Sequence, residues 1–273
     1  NYHKKNFLKF FNENNKSLKK LKILETGAGQ GVHAIILCLM GANVTASDIL
    51  KSNIEKIKRL KKIYRFHDLK VEQHDFTKKF KNMKSYDIIS CHNWIQHSPN
   101  PSIVLKNLVK HSKINSKIYI SCYHSKTFRF FITQIARKIL KPKDFELIKK
   151  RTKVFFPKGF IIYNNQDNIY ASNITDDFFS PYVVTIDYEN LALIAKDYGL
   201  KIYRKRLKII SKKGSDKEIS IPLKKNLYHL DDACLKVGMK KVNESKCLNK
   251  KRIYTNAYDE FKKTDDSLID ECT

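Results

Sequence analysis

The residues best suited to chemistry lie in one short run, ILETGAGQG (23–31), where a β-like segment ends in a carboxylate, Glu25, and passes into Gly27, Ala28, Gly29 and Gly31. Glycines at alternate positions let a backbone turn sharply and approach a ligand with no Cβ atoms in the way. A dinucleotide fingerprint requires GxGxxG or GxGxxA, but the sixth position here is Val32, so the third small residue is displaced by one. A nicotinamide cofactor is therefore disfavoured. Two of the imidazoles further along the chain are candidate bases. His97 could take a proton from an attacking hydroxyl near neutral pH, with stabilisation of its own turn as the rival role. His124 follows the fifth β-like run, at the carboxyl edge where open α/β sheets bind ligands, and is the second candidate base.

The elements that must position these residues alternate in kind. β-like runs at 21–25, 43–48, 69–75, 86–92 and 117–123 are separated by helical stretches at 34–41, 49–65 and 102–113, the pattern of a parallel sheet covered by helices on both faces. In the second helix Ile54, Ile57 and Leu60 recur at helical spacing with Lys and Arg around them, and Pro101 stands near the first turn of the third, where a missing N–H costs least. The rhythm stops at 124–175. There FRFFITQIARKIL gathers Phe128, Phe131, Ile132, Ile135 and Ile139 on one helix face. Such an insertion can be a cover on the sheet edge, an amphipathic helix on a membrane surface, or a lid whose Arg129, Arg137, Lys141 and Lys143 attract an anionic acceptor. Residues 186–210 return to helix, Gly199 stop and strand, so the reading is one domain over 1–210 with a lid-like insertion, and a C-terminal extension over 211–273.

Composition narrows the classes. A length of 273 residues with 42% hydrophobic content allows one full core, and 8 Gly and 6 Pro exclude collagen and low-complexity disorder. The longest apolar stretch, Ala34 to Met40, falls far short of the roughly 20 residues that a bilayer crossing needs. The net charge of +27, all but +3 of it in residues 1–210, invites a nucleic-acid partner. Only eight of the basic residues are Arg, the better base reader, which disfavours that partner against a small anionic molecule, a membrane surface or a solvated lysine-rich face. Six Cys show no CxxC pair and no metal-ligand spacing, so no metal is expected. No secretory signal opens the chain, and a reducing cytoplasm is the expected compartment. The first residue is Asn1 and not Met, which leaves room for a preceding segment.

The order of these motifs over residues 20–123 resembles that of class I S-adenosylmethionine (SAM) methyltransferases. The resemblance implies an α/β, Rossmann-like, seven-stranded and mostly parallel sheet flanked by helices, with the last strand antiparallel and an insertion after strand five. In that family the Gly27–Gly31 loop passes the methionine portion of SAM, and Glu25 supports the loop and the amino group. Asp48, 23 residues after Glu25, accepts both ribose hydroxyls, and Ile49 packs on the adenine. Asp75 reaches the adenine amine with Phe76 beside the ring, the favoured reading, with Phe76 in the core as its alternative. Asn93 reaches the methionine end or is a plain turn residue, and Trp94 is a cleft wall or a core anchor. His97, Pro99 and Pro101 stand in an HxPxP-like turn.

Residues 176–202 look like a segment of those members that act on small molecules or on sugar and cell-surface precursors. HNWI (92–95) replaces an NPPY-like tetrapeptide, which disfavours methylation of adenine or glutamine amino groups. The expected activity is methyl transfer to a small-molecule acceptor, with releasing of S-adenosylhomocysteine (SAH). Because SAM carries its own sulfonium activation, a dedicated base is optional. An RNA methyltransferase would instead need its basic charge gathered along the cleft rim, and a non-catalytic SAM-binding scaffold would have a cleft closed to a second ligand.

Overall fold

The structure, a computed structural model, describes residues 18–78, 84–123, 135, 137–139, 147, 179–180, 182–208, 234–243 and 254–255. Strands β1 (Lys22–Thr26), β2 (Asn43–Asp48), β3 (Leu69–Gln73), β4 (Tyr86–His92) and β5 (Ser112–Tyr123) alternate with helices α1 (Val32–Leu39), α2 (Lys51–Tyr64) and α3 (Pro101–Lys110). Then come β6 (Thr185–Ile186), α4 (Tyr188–Asp197), β7 (Leu200–Lys208), β8 (Cys234–Lys241) and β9 (Tyr254–Thr255). The main sheet runs β3-β2-β1-β4-β5-β8-β7. Pairings from β3 to β5 are parallel, and β8 is antiparallel to both of its neighbours. The expected seven-stranded, mostly parallel sheet is thus the observed one.

β1 shows why the sheet forms. Its side chains point alternately to two faces, and both faces are covered. Ile23 joins Ala34, Leu37, Val44 and Ile57 beneath α1 and α2, while Leu24 joins Ile89, Val104, Leu108 and Leu191 beneath α3 and α4. In α2 the spacing anticipated from sequence holds, with Ile54 and Ile57 buried under a lysine-rich outer face. Pro101 occupies the first turn of α3, and the Asn100 side chain caps that helix by accepting from the Ile103 N–H at 3.0 Å. Among the described residues no helix is long and apolar enough to cross a membrane.

The segment 211–273, read from sequence as a separate extension, supplies β8, so a boundary at 210 cuts through the sheet. Leu235, Val237 and Met239 are fully buried, and β8 lies in register with β5 (Ile120 opposite Val237) and β7 (Ile202 opposite Met239). These residues alternate with Lys236, Gly238 and Lys240, a period of two that lysines conceal from a composition-based reading.

His111, at the carboxyl end of α3, is 2% exposed, and its Nδ1 donates to the Lys84 carbonyl at 3.0 Å. Burial lowers its proton affinity below that of a free imidazole, the Lys84 carbonyl opposing the effect in part, and burial lowers that of His74 as well. The unfolded chain therefore binds more protons than the folded one as the pH falls through the ordinary imidazole range. Stability contributed by these neutral rings is complete above about pH 6.5 and is lost below it. Thermal melts of the full chain should show a falling midpoint from about pH 7.5 to about pH 5.5, with a shallower slope in His111→Asn. Parallel slopes for parent and variant would remove His111 from the account.

Candidate functional site

β1, β2 and β4 lie side by side, and strand order reverses between β1 and β4, so the crevice beyond their carboxyl ends is where an open α/β sheet places a ligand. Three left-handed glycines form the loop out of β1: φ is +59° at Gly27, +53° at Gly29 and +83° at Gly31. Each is glycine for a different reason. A Cβ on Gly27 would lie 2.3 Å from Cδ1 of Trp94, and one on Gly31 would lie 2.9 Å from Cγ1 of Ile57. A Cβ on Gly29 would meet no atom of the described residues within 4 Å. Gly27 and Gly31 thus admit the chain's own side chains, and Gly29 faces open space. Ala28 is fixed to β2 through its N–H on the Ser47 carbonyl at 2.9 Å.

Two carboxylates flank this loop. Asp48, at the end of β2 and 6% exposed, accepts the Gly29 N–H on Oδ2 at 2.8 Å and the Leu50 N–H on Oδ1 at 2.9 Å. It clamps the loop to the start of α2, and each oxygen keeps a further lone pair for a hydroxyl. Just beyond it Ile49 and Leu50 are each 56% exposed, an apolar surface in position to cover a flat ring. Glu25, at 1% exposure, has Oε1 at 3.5 Å from Nδ1 of His33, while its buried Oε2 has no hydrogen-bond partner among the described residues. A buried carboxylate oxygen left unsatisfied is costly unless a ligand completes it.

The other anticipated residues are placed as follows. Asp75 Oδ1 accepts from both the N–H and the hydroxyl of Thr77, at 2.9 and 2.6 Å, a local turn. Phe76 is 3% exposed within the core, beside Trp94 with ring centroids 5.7 Å apart, which is the core alternative stated above. Its carbonyl accepts from Asn107, a buried amide that sequence reasoning missed. Asn93 has φ +55°, a conformation that Asn tolerates better than most residues, and its Oδ1 accepts from the Ser121 hydroxyl of β5 at 2.5 Å. Trp94 packs on the core and donates to the Thr26 hydroxyl at 3.0 Å, which fixes the indole across Gly27.

His97 ends a 3₁₀ turn over Ile95–His97 and stands edge-on to Tyr123, at the end of β5, with centroids 5.9 Å apart. Its Nδ1 lies 3.2 Å from the Tyr182 carbonyl, which can only accept, so Nδ1 carries the proton and Nε2 is the basic nitrogen of the neutral ring. The same bond also ties the turn to the segment before β6. Next to it Gln96 is 1% exposed, with both amide atoms unpaired among the described residues. His124 lies outside the described residues, as do Arg129, Lys141, Lys143 and most of the expected lid; Arg137 is described and donates to the Ser180 carbonyl at 2.9 Å. His33, whose Nδ1 lies 3.5 Å from Glu25, and His92, whose ring meets that of His33 edge-on at 4.6 Å, were not anticipated. The signal for His33 was an imidazole in the first turn of an otherwise apolar helix.

The family described as "Methyltransferase domain" matches residues 17–155. Curated relatives named ubiquinone biosynthesis O-methyltransferase include one from Rickettsia akari, 38% identical over 108 residues, which are 39% of this chain and 42% of that protein. Another, from Photobacterium profundum, is 28% identical over 174 residues, 59% of this chain and 68% of that protein. The chain spans about two fifths of the length of relatives such as that from Rickettsia akari. Among solved structures, magnesium protoporphyrin IX methyltransferase from Synechocystis, with bound SAH, superposes with a TM-score of 0.51 at 14% identity, over 83% of this chain and 77% of that one.

Proposed function

This chain belongs to the methyltransferase domain family, and we propose that it transfers the methyl group of SAM to an oxygen atom of a small-molecule acceptor. The observation that carries the cofactor reading is the arrangement around Gly29. Among the described residues Glu25 keeps on one side a buried oxygen without a partner, Asp48 keeps on the other lone pairs beside the loop, and nothing lies within 4 Å of a Cβ built on Gly29. These features suit a ligand with an ammonium group at one end and paired hydroxyls further along. In this reading the loop Gly27–Gly31 borders the methionine portion, Glu25 Oε2 takes the ammonium, and Asp48 takes the ribose hydroxyls. Ile49 and Leu50 cover the adenine, and Asp75 reaches its amine.

When bound, SAM supplies a methyl group already activated by its sulfonium. The chain's task is then to place the acceptor oxygen in line with that methyl group and to keep water away. His97, held as the Nδ1–H tautomer by the Tyr182 carbonyl, is the imidazole assigned to take the acceptor's hydroxyl proton as the C–O bond forms. An oxygen acceptor is supported by the names of the relatives and by HNWI at 92–95, in place of the tetrapeptide used for amino-group methylation. The basic charge concentrated in residues 1–210 favours an anionic acceptor over a neutral one.

Calorimetric titration of the full chain should show binding of SAM and SAH and none of NAD. Tight NAD binding without SAM binding would overturn the assignment. With isotope-labelled SAM and cell extract, mass spectrometry should find the label in a small molecule, on an oxygen; label recovered only in RNA or protein would overturn the acceptor class.

A further inference from the structure

We propose that Asn107 is a positioning residue for the adenine end of the cofactor site: from α3 it fixes the turn after β3, and through that turn it aims the Asp75 carboxylate at the adenine amine. The inference rests on the cofactor reading above and deepens it. β3 is an edge strand, paired with β2, and the backbone of residues 74–78 beyond it has no ladder of its own. Side-chain and turn bonds take the ladder's place. Towards β2 the His74 N–H donates to the Asp48 carbonyl at 3.0 Å, and the Gln73 amide donates to the Ile49 carbonyl at 2.9 Å. From the other side Asn107, 4% exposed, donates through Nδ2 to the carbonyls of Phe76 and Lys78, at 2.8 and 3.1 Å. A carbonyl can only accept, so it is the amide nitrogen that faces this turn.

The two carbonyls held by Asn107 bracket Thr77, and Thr77 orients Asp75. Its N–H and hydroxyl both donate to Asp75 Oδ1, at 2.9 and 2.6 Å, and the Lys78 N–H closes the turn on the Asp75 carbonyl at 3.0 Å. Oδ2 is then the oxygen assigned to the adenine amine. Val104, Leu105 and Leu108 of the same helix are fully buried, and an apolar residue at 107 would suit that core, so the two bonds to the turn are the reason for an amide there. A directed bond to a ligand requires its atoms within about 0.5 Å of the productive geometry. Without Asn107 the Asp75 carboxylate stays near the adenine but loses its aim.

The test is calorimetric titration of the full chain with SAH and with an SAH analogue that carries hydrogen in place of the adenine amine, for the parent, Asp75→Ala, Asn107→Leu, Asn107→Ala and Val237→Ala. In the parent, loss of the amine should weaken binding by about tenfold or more, the cost of a hydrogen bond to a charged group. In Asp75→Ala that penalty should nearly vanish, and in both Asn107 variants it should shrink several-fold. Val237→Ala shortens a buried side chain of β8, across the sheet from β3; it should lower the melting midpoint and keep the parent's penalty. A role in stability alone would move the midpoint and leave the penalty where it was. Asn107→Ala leaves room for water at the two carbonyls and carries the test if Asn107→Leu does not fold; failure of both to fold assigns Asn107 to stability and overturns the proposal. A parental penalty in the Asn107 variants, or one that shrinks equally in Val237→Ala, overturns it too and leaves the cofactor assignment intact. A parent that binds SAH and its analogue equally removes Asp75 from the adenine, and this proposal with it, whereas a parent that binds neither overturns the cofactor assignment itself.

Discussion

Gly27→Ala should weaken SAM binding by more than tenfold and lower the stability of the chain, whereas Gly29→Ala should weaken binding to a similar degree with much less loss of stability. The two residues share a left-handed backbone, at φ +59° and +53°, so the conformational strain of an added Cβ is common to both, about 1 kcal/mol. They differ in what that Cβ meets. At Gly27 it would fall 2.3 Å from Cδ1 and 2.4 Å from Cγ of Trp94. The indole cannot withdraw easily, because its Nε1 is bonded to Thr26 and its ring packs beside Phe76. Either the loop or the indole must move, at a further cost of about 1–3 kcal/mol for overpacking, and the loop carries the Asp48 clamp with it. At Gly29 the Cβ enters open space, the volume assigned to the ligand, so the loss should appear mainly in affinity. Thermal melts beside calorimetric titrations separate the two. Equal stability losses, or SAM affinity unchanged in Gly29→Ala, would show that the space beside Gly29 is not the ligand's.

The contrast between these glycines shows where a sequence reading ends. The loop is legible because its signal is local: a short apolar strand, a carboxylate and glycines at alternate positions all lie within nine residues. The particular need at Gly27 is not local, because the group that fills its missing side chain is Trp94, held by a bond between residues 68 apart. Asp48 is legible from its place at a strand end, but its two backbone donors depend on how the loop folds back over β2. Phe76 illustrates the opposite case: both the cleft and the core lie beside a strand-end turn, and only packing against His74 and Trp94 decides between them.

The early strands are legible because each is bounded by a helix and a turn within a few residues. β8 is the exception. Its alternation of apolar and polar residues is local, but its place between β5 and β7 depends on partners distant in sequence. His33 carried a visible anomaly, an imidazole in an apolar helix, but its place 3.5 Å from the buried Glu25 carboxylate shows only in the folded chain.

Asp48→Ala should weaken SAM by roughly 1.5 to 3 kcal/mol, the range for hydrogen bonds to a charged group, and part of that loss should come from the loop. In the folded chain the carboxylate already holds the N–H groups of Gly29 and Leu50, so removing it leaves two backbone donors without their acceptor and frees the loop from α2. A bare loss of affinity therefore does not separate the carboxylate's bond to the ligand from its clamp on the protein. A double-mutant cycle does, with SAH and an SAH analogue lacking both ribose hydroxyls as the two ligands. In the parent, removing the hydroxyls should cost affinity by about the same charged-bond range; in Asp48→Ala that cost should nearly vanish, because the acceptor for those hydroxyls is gone. The residual weakening of the analogue by Asp48→Ala then measures the clamp alone, and melting of the unliganded variant should report the same loosening. If deleting the hydroxyls costs as much in Asp48→Ala as in the parent, the ribose is held by another group and Asp48 acts on the loop only.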